Sequence, residues 1–134
     1  IIGWAFGKTM DAELAKKALK NASLNVKKTK GIILQTDLGS QYTSNIFEEY
    51  LAELKIRHSY SRKGCPYDNS CIESFHSILK KEEVNLKKYK DFKEAYNAIF
   101  EFIEAWYNRE RIHSCLNYKT PDEVHSEDEE SFAA

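Results

Sequence analysis

Two acidic residues, Asp37 and Glu73, stand in a pattern that suits metal chemistry. Asp37 follows an apolar run and Glu73 lies in a later segment with helical character, with thirty-five residues between them. A helix, a short strand and a Gly/Pro loop fill that interval, and such a path can return both carboxylates to one end of a sheet. Carboxylates hold Mg²⁺ and Mn²⁺, and two such ions can act on phosphate oxygens. The spacing therefore favours part of a metal site that handles phosphate.

Each acid also has a purely structural interpretation. Asp37 can close an Asx turn after its strand. Ser70 and Glu73 have the spacing of a capping box, in which the Glu73 side chain would return to the Ser70 amide. Either acid alone is weak evidence for a metal site, and the pair gains weight only from the longer pattern around each residue.

The chain between and beyond the two acids carries residues suited to substrate contact. Residues 61–69 mix turn-forming residues with two cations and an aromatic ring, which predicts a mobile surface loop. The cations and the ring are Arg62, Lys63 and Tyr67. The next helix has a polar face made of Glu73, His76, Ser77 and Lys80. Lys80 lies almost two turns beyond Glu73 on that face.

Alternating strands and helices must position these residues. The predicted strands are residues 1–6, 32–34 and 56–60. The predicted helices are residues 9–21 with Thr9 as the cap, 45–55 with Ser44 as the cap, 71–84, 91–107 and a short one over 121–124. Residues 32–34 are all apolar, which indicates a parallel strand buried on both faces. We therefore expect an α/β fold, with the apolar and aromatic stripe of residues 91–107 in its core.

Composition excludes several classes of protein. The chain has 134 residues and 42% hydrophobic content, enough for one folded domain. No apolar run approaches the roughly 18 residues of a membrane span, and no segment has the pattern of a signal peptide. Its three cysteines lack CxxC spacing, which argues against a disulfide framework. We expect a soluble cytoplasmic protein with reduced thiols and no membrane partner.

Charge is distributed unevenly along the chain. Residues 122–134 hold six acidic residues and no Lys or Arg, so residues 1–121 carry 20 basic and 15 acidic side chains, a net charge of +5. This is a modest bias towards polyanions. We expect residues 1–124 to form one domain and residues 125–134 to be an acidic, disordered tail.

Four stretches carry a more specific pattern. They are residues 36–44 (TDLGSQYTS), residues 61–64 with 67–69, residues 72–75 with 79–80, and residues 107–121 with Asn108, Arg111, His113 and Pro121 among the matching positions. These stretches resemble the second-acid motif, flexible loop, third-acid helix and closing signature of the DDE transposases of bacterial insertion sequences, the group closest to retroviral integrases. The resemblance covers nearly all of residues 1–124, including Gly3-Trp4-Ala5 in a sheet strand.

The resemblance implies an RNase H-like integrase core that cuts and joins transposon DNA with Mg²⁺ or Mn²⁺ at a two-metal site. Asp37 and Glu73 would be its second and third catalytic acids and metal ligands. Lys80 would contact DNA near the transposon end, and the other candidate DNA contacts are Arg62, Lys63, Tyr67 and Ser77. The partners implied are transposon ends and target DNA. Asp68 belongs to the loop in this resemblance and is not expected to bind metal.

This sequence departs from the family pattern at one point. The family's first acid lies on a central strand that precedes the strand at residue 1, and no counterpart is present here. We therefore expect a partial core over residues 1–124 with an incomplete sheet and weak or absent metal binding. We expect that the chain alone does not catalyse strand transfer, although its family is enzymatic. Unsatisfied sheet edges favour a homodimer.

Other interpretations stay open. The chain fits a non-catalytic transposase remnant that binds DNA or itself, or more distantly another RNase H-like nuclease such as a Holliday-junction resolvase. Cys65, Cys71 and His76 are possible zinc ligands with irregular spacing and no clear fourth partner. A cysteine nucleophile, Cys71 or Cys115 with His113, has no local activating arrangement. These last two interpretations are disfavoured.

Overall fold

The computed structural model describes residues 1–62 and 66–131. The chain forms two compact units, and the helix Ser70–Glu82, called α3, begins in the first and continues in the second. Residues 2–73 make the first, which we call the sheet unit. Residue 1 and the residues from 74 onward make the second, the helical unit. The single domain predicted over residues 1–124 stays a prediction.

The sheet unit is built on a parallel strand pair joined by a helix. Its elements are α1 (Ala12–Leu24), β1 (Ile33–Thr36), α2 (Asn45–Leu54) and β2 (Arg57–Tyr60). Register runs from Ile33 opposite Arg57 to Thr36 opposite Tyr60. The α/β class and the parallel pairing are confirmed. Both strands end at the same sheet edge, which is the edge where open α/β sheets bind ligands.

Local side-chain bonds begin the two helices. Ser44 accepts a hydrogen bond from the Phe47 amide at the start of α2, so the predicted cap is confirmed. The predicted Thr9 cap is wrong, because Asp11 accepts from the Leu14 amide at 2.9 Å and α1 begins at Ala12. The Thr9 hydroxyl donates to the Asp11 carboxylate instead, and so supports the true cap from outside the helix.

The core of the sheet unit lies between α1, α2 and one face of the sheet. Leu19, Phe47 and Leu51 are buried, and Leu34 of β1 packs against them. Successive strand residues point to opposite faces, so Leu34 faces the helices while Ile33 faces away from them. Ile33 is 55% exposed, so the prediction of a strand buried on both faces is wrong for β1 as described.

Residues 1–6 do not form the predicted strand in the described structure. A strand requires a neighbour that accepts and donates its backbone hydrogen bonds, and these residues have side-chain partners instead. The carbonyl oxygen of Trp4 accepts from the Asn21 amide group, and that of Ile2 accepts from the Asn25 amide group, both at 2.8 Å. Gly3 also lies so close to Ala22 that a Cβ atom there would be 2.2 Å from the Ala22 nitrogen.

The helical unit packs aromatic rings between helices. Its elements are the later part of α3 (Ser70–Glu82), α4 (Phe92–Glu101), a π-helical continuation (Phe102–Tyr107), and α5 (Pro121–Ser131). The Phe75 and Tyr107 rings pack edge-to-face with 5.0 Å between their centroids. Ile99 and Ile103, on the helical segment that leads to Tyr107, are also buried. The predicted core stripe holds only in its later part, because Phe92 and Tyr96 are 42% and 40% exposed.

The last helix is longer than predicted. α5 runs to Ser131, whereas the sequence predicts a helix ending at Val124 and then a disordered tail. Thr120 and Glu123 form a capping box at its start, with the Thr120 amide donating to Glu123 and the Glu123 amide to Thr120. Lys119 donates to both carboxylate oxygens of Glu127 at 2.6 Å, which ties the acidic segment back to the chain before the helix. Residues 132–134 of the predicted tail lie outside the described residues.

A search of the described helices for a membrane span found none with the necessary length and apolar character.

Candidate functional site

Asp37 directly follows β1 and its carboxylate is held by a backbone bond. The Gly39 amide donates to Asp37 Oδ1 at 2.8 Å, so the predicted Asx turn is confirmed. This turn leaves Oδ2 without a hydrogen bond to any described group. The side chain is exposed at the carboxyl edge of the sheet. A turn that occupies one oxygen is compatible with a cation on the other.

Three hydrogen bonds bring the start of α3 to this same edge. The Ser61 amide donates to the Thr36 carbonyl oxygen at 2.7 Å, which extends the strand pairing by one residue. The Ser61 hydroxyl donates to Asn69 Oδ1 at 2.8 Å, and Gln35 Nε2 donates to the Asp68 carbonyl oxygen at 2.9 Å. The residues immediately before α3 are therefore attached to the ends of both strands, next to Asp37.

Glu73 lies in the first turn of α3 and points into solvent. Its carboxylate makes no hydrogen bond or ion pair with any of residues 1–62 and 66–131. The predicted capping box is wrong, because a 3-10 turn over Pro66–Asn69 runs straight into α3 and makes Ser70 the first helical residue. Ser70 therefore does not occupy the non-helical position that a capping box needs. The Glu73 carboxylate is not committed to a local structural bond.

The predicted loop contacts differ in their surroundings. Arg62 is paired with Asp68, with Nε at 3.2 Å from Oδ2, and its backbone amide donates to the same oxygen at 3.0 Å. The Arg62 hydrogen bond holds the pKa of Asp68 below its usual range. Tyr67 is 89% exposed. Lys63 and Cys65 lie outside the described residues, so the structure does not test the predicted roles of either.

Ser77 and Lys80 are exposed on α3. Lys80 follows Glu73 by seven residues, which is almost two turns of one helix. Its ammonium group makes no ion pair with any residue that the structure describes. Cys71 and Cys115 are exposed free thiols.

A chain of hydrogen-bonded polar side chains next to Asp37 was missed by sequence reasoning. His58 on β2 contacts Glu48 Oε1 of α2 through Nδ1 at 2.7 Å and Thr36 Oγ1 of β1 through Nε2 at 2.8 Å. Thr36 Oγ1 donates to the Asp37 carbonyl oxygen at 2.9 Å. The Tyr60 hydroxyl also donates to Glu48 Oε1. Neither strand, Ile33–Thr36 or Arg57–Tyr60, has a polar alternation that would have indicated it.

Two hydrogen bonds favour the charged form of Glu48. The hydrogen bond from Tyr60 lowers the pKa of Glu48, and the bond from His58 lowers it further. The same contact raises the pKa of Tyr60, because a neighbouring carboxylate disfavours the phenolate. The His58 side chain is only 7% exposed, so its two ring nitrogens depend on these protein partners.

The carboxylates of Asp37 and Glu73 are the candidate ligands for a divalent metal. Carboxylate oxygens from Asp37 and Glu73 are the hard ligands that Mg²⁺ and Mn²⁺ prefer, and neither acid has its full set of oxygens occupied by protein. Among the residues described, no three His, Cys, Asp or Glu side chains are close enough together to hold a metal ion. Asp37 and Glu73 are therefore suitable ligands for a divalent ion by their chemical type, and the described residues supply no third ligand beside them.

Comparison with protein families gives matches over residues 1–121. Two family models, each described as "Integrase core domain", match residues 1–66 and residues 54–121. The transposase for insertion sequence element IS904 of Lactococcus lactis is 40% identical over 90% of this chain and 48% of its own length. The transposase InsF for insertion sequence IS3A of Escherichia coli is 37% identical over 92% of this chain and 43% of its own length.

Solved structures share the fold. A chain in the simian T-cell lymphotropic virus intasome structure, solved with PP2A regulatory subunit B56 gamma, superposes with a TM-score of 0.66 at 21% identity, covering 89% of this chain and 41% of that one. The catalytic core domain of BIV integrase superposes with a TM-score of 0.64 at 16% identity, covering 92% and 76%. The predicted RNase H-like integrase-core fold is confirmed. The chain spans less than half the length of the two transposases.

Proposed function

Because this chain belongs to the integrase core domain family, we propose that it forms part of the catalytic core of an insertion-sequence transposase, for metal-dependent DNA cleavage and strand transfer. One observation carries the proposal. Asp37 follows β1, and the segment before the helix of Glu73 is bonded to the same sheet edge through Gln35 and Ser61. These bonds hold the start of the Glu73 helix near the strand end that carries Asp37, which supports a role for both acids in one site.

Asp37 and Glu73 would hold the divalent ion in this proposal. When bound, Mg²⁺ or Mn²⁺ polarises phosphate oxygens and activates the attacking oxygen. The protein's own contribution is positional. The Gly39 amide fixes one oxygen of Asp37 and leaves the other available, while the Gln35 side chain holds the chain that leads into α3.

DNA is the proposed partner, and the residues proposed to contact it are Arg62, Lys63, Tyr67, Ser77 and Lys80. The +5 charge of residues 1–121 supports a polyanionic partner. Asp68 restrains the Arg62 guanidinium, which lowers the entropy that the side chain would lose on meeting a phosphate. Phosphate contacts of this kind position a protein on DNA without reading its sequence. We propose that the protein acts in the cytoplasm, the compartment that holds bacterial DNA.

We also propose that the 134-residue chain does not perform strand transfer by itself and that it self-associates. Two acids support at most part of a three-acid site. The parallel pair β1 and β2 leaves one backbone edge on each strand without a described strand partner, and such edges favour pairing with another chain. A sedimentation mass equal to one chain at micromolar concentration would contradict self-association.

The metal site can be tested by titrating the ¹⁵N-labelled chain with Mn²⁺ and following amide line broadening. We expect broadening centred on residues 37–40 and 72–74. Asp37→Asn and Glu73→Gln should each weaken it roughly tenfold or more, since ligands matter at least as much as the residues that orient them. Glu49→Gln, an exposed carboxylate on α2, is the matched control. Broadening that is unchanged in both site variants would refute the proposed ligands.

Catalysis and DNA binding need separate measurements. The purified chain with Mg²⁺ or Mn²⁺ should not join a transposon-end oligonucleotide to target DNA, and robust joining would overturn the proposed inactivity. Lys80→Ala should weaken DNA binding and reduce the salt slope by about one. Lys81→Ala, on the exposed surface next to it, should have less effect. DNA binding without any metal effect at Asp37 or Glu73 would favour a non-catalytic remnant.

A further inference from the structure

His58, whose side chain is only 7% exposed, links Glu48 to the residue that precedes Asp37. Its ring lies between the sheet and α2, where it packs against Tyr60 at 4.2 Å and Phe47 at 5.7 Å between ring centroids. Glu48 contacts one ring nitrogen and Thr36 the other, at 2.7 and 2.8 Å. These are short bonds, and the His58 ring and Thr36 have little access to water, whereas the Glu48 side chain is 42% exposed.

All of these contacts are satisfied together when each ring nitrogen of His58 carries a proton. The Thr36 hydroxyl has a single proton, and that proton is directed to the Asp37 carbonyl oxygen. Thr36 Oγ1 must then accept from His58 Nε2–H. Glu48 Oε1 is an acceptor, so His58 Nδ1–H donates to it. The imidazole therefore donates on both sides, to Glu48 through Nδ1 and to the Thr36 hydroxyl through Nε2, and the hydroxyl donates in turn to the Asp37 carbonyl oxygen.

Asp37 is consequently held at two points. Its carbonyl oxygen is bonded by the Thr36 hydroxyl, which restricts rotation of the backbone after Asp37. Its carboxylate is bonded by the Gly39 amide, which restricts the side chain. The second bond depends on the first, because the path of the backbone after Asp37 determines where the Gly39 amide lies.

We propose that His58 is a positioning residue for Asp37, acting through the Thr36 hydroxyl and anchored by Glu48. Its role is to keep the Asp37 turn in the conformation that leaves Oδ2 open to a cation. The cation-binding part of this inference depends on the proposed function. The positioning itself is a property of the chain without metal and can be measured without it.

The test uses the full chain without metal and follows the exchange rate of the Gly39 amide with solvent. Thr36→Val removes the hydroxyl with little change of shape, and His58→Phe keeps the ring packing but removes both donors. Each should speed Gly39 exchange about fivefold, the factor expected for loss of one net hydrogen bond. Thr36→Ser should restore the wild-type rate. Unchanged exchange in both Thr36→Val and His58→Phe would overturn the proposal.

A matched control separates positioning from general loss of stability. Thr29 also donates its hydroxyl to a carbonyl oxygen, that of Leu54, at 2.7 Å in the same unit. Thr29→Val therefore removes the same kind of bond away from Asp37 and should leave Gly39 exchange unchanged. If Thr29→Val accelerates Gly39 exchange as much as Thr36→Val does, the effect is global and the positioning role is refuted.

Mn²⁺ titration of the same variants distinguishes failure of this inference from failure of the proposed function. If the wild-type chain binds Mn²⁺ at Asp37, Thr36→Val and His58→Phe should weaken binding roughly tenfold, the lower end of the range for residues that orient ligands. Accelerated Gly39 exchange with no Mn²⁺ binding in the wild type would support the positioning role and count against the metal site alone.

Discussion

Asp37 and Glu73 belong to one proposed site but are held in opposite ways. Asp37 is bonded at its carbonyl and its carboxylate, and the buried Thr36 and His58 side chains connect it to Glu48, whose side chain is 42% exposed. The Glu73 carboxylate has no bond to any described residue, and this exposed side chain is fixed only by the helix that carries it. The bonds on that side hold the backbone before α3 rather than the acid.

The difference indicates a division of tasks between the two acids. A side chain that is already ordered loses little entropy when it meets a cation, so Asp37 is suited to bind first. Glu73 keeps its rotamer freedom and would lose it on binding. The comparison predicts that changes near Asp37 affect both stability and ligand binding, whereas changes at Glu73 affect ligand binding alone.

The substitution with the largest expected effect removes the buried Phe47 ring, which packs against His58. Phe47 is 2% exposed and contacts the rings of Tyr42 and His58 at 5.5 and 5.7 Å. Phe47→Ala should lower the free energy of unfolding by about 3–5 kcal/mol, the usual cost of a cavity left by a buried ring. Urea denaturation measures it. Ile46→Ala, at a neighbouring position that is 41% exposed, is the control, and equal losses in both variants would contradict this account.

The substitution with the next largest expected effect, Gly39→Ala, changes the Asp37 turn itself. A Cβ atom at Gly39 would lie 2.9 Å from Asp37 Oδ1 and 2.6 Å from Gln41 Nε2. Gly39→Ala should therefore displace the Asp37 carboxylate and weaken Mn²⁺ binding roughly tenfold. Ser74→Ala, beside Glu73 on the exposed surface of α3, should leave binding unchanged. Equal effects at both positions would remove the distinction between the two acids.

These two regions also show how far sequence reasoning reached. The parallel strands and the Ser44 cap were predictable, because apolar runs, capping residues and chain direction are local signals. Burial of Ile33 and a strand over residues 1–6 were predicted wrongly, because both depend on which neighbour a strand finds. A short apolar run carries no information about that neighbour.

The Thr36, His58 and Glu48 chain was beyond sequence reasoning for a different reason. It joins two strands and a helix, and it depends on the register that places Leu34 opposite His58 and Thr36 opposite Tyr60. A shift of one residue would turn these side chains to the other face. The extent of α5 was missed similarly, because its acidic residues gain a partner in Lys119 that composition does not reveal.

A smaller effect is expected when the two acids are compared directly by the stability that each contributes. Asp37→Ala removes the carboxylate that accepts from Gly39 and should lower the free energy of unfolding by about 1 kcal/mol. Glu73→Ala removes no described contact and should change it by less than about 0.5 kcal/mol. Urea denaturation of both variants measures the difference. A Glu73→Ala loss as large as that of Asp37→Ala would show that Glu73 has a structural role.

The smallest expected effect is the pH dependence of the stability that Glu48 contributes through its bond to His58. The hydrogen bond from Tyr60, and then that from His58, lowers the pKa of Glu48 below its usual 4.5. A lowered carboxylate pKa stabilises the fold above 4.5, and this contribution disappears as pH falls through the folded-state value. The wild type should therefore exceed Glu48→Gln in urea midpoint at pH 6, and the gap should narrow towards pH 3. A constant gap would show that the Glu48 charge does not support the turn of Asp37.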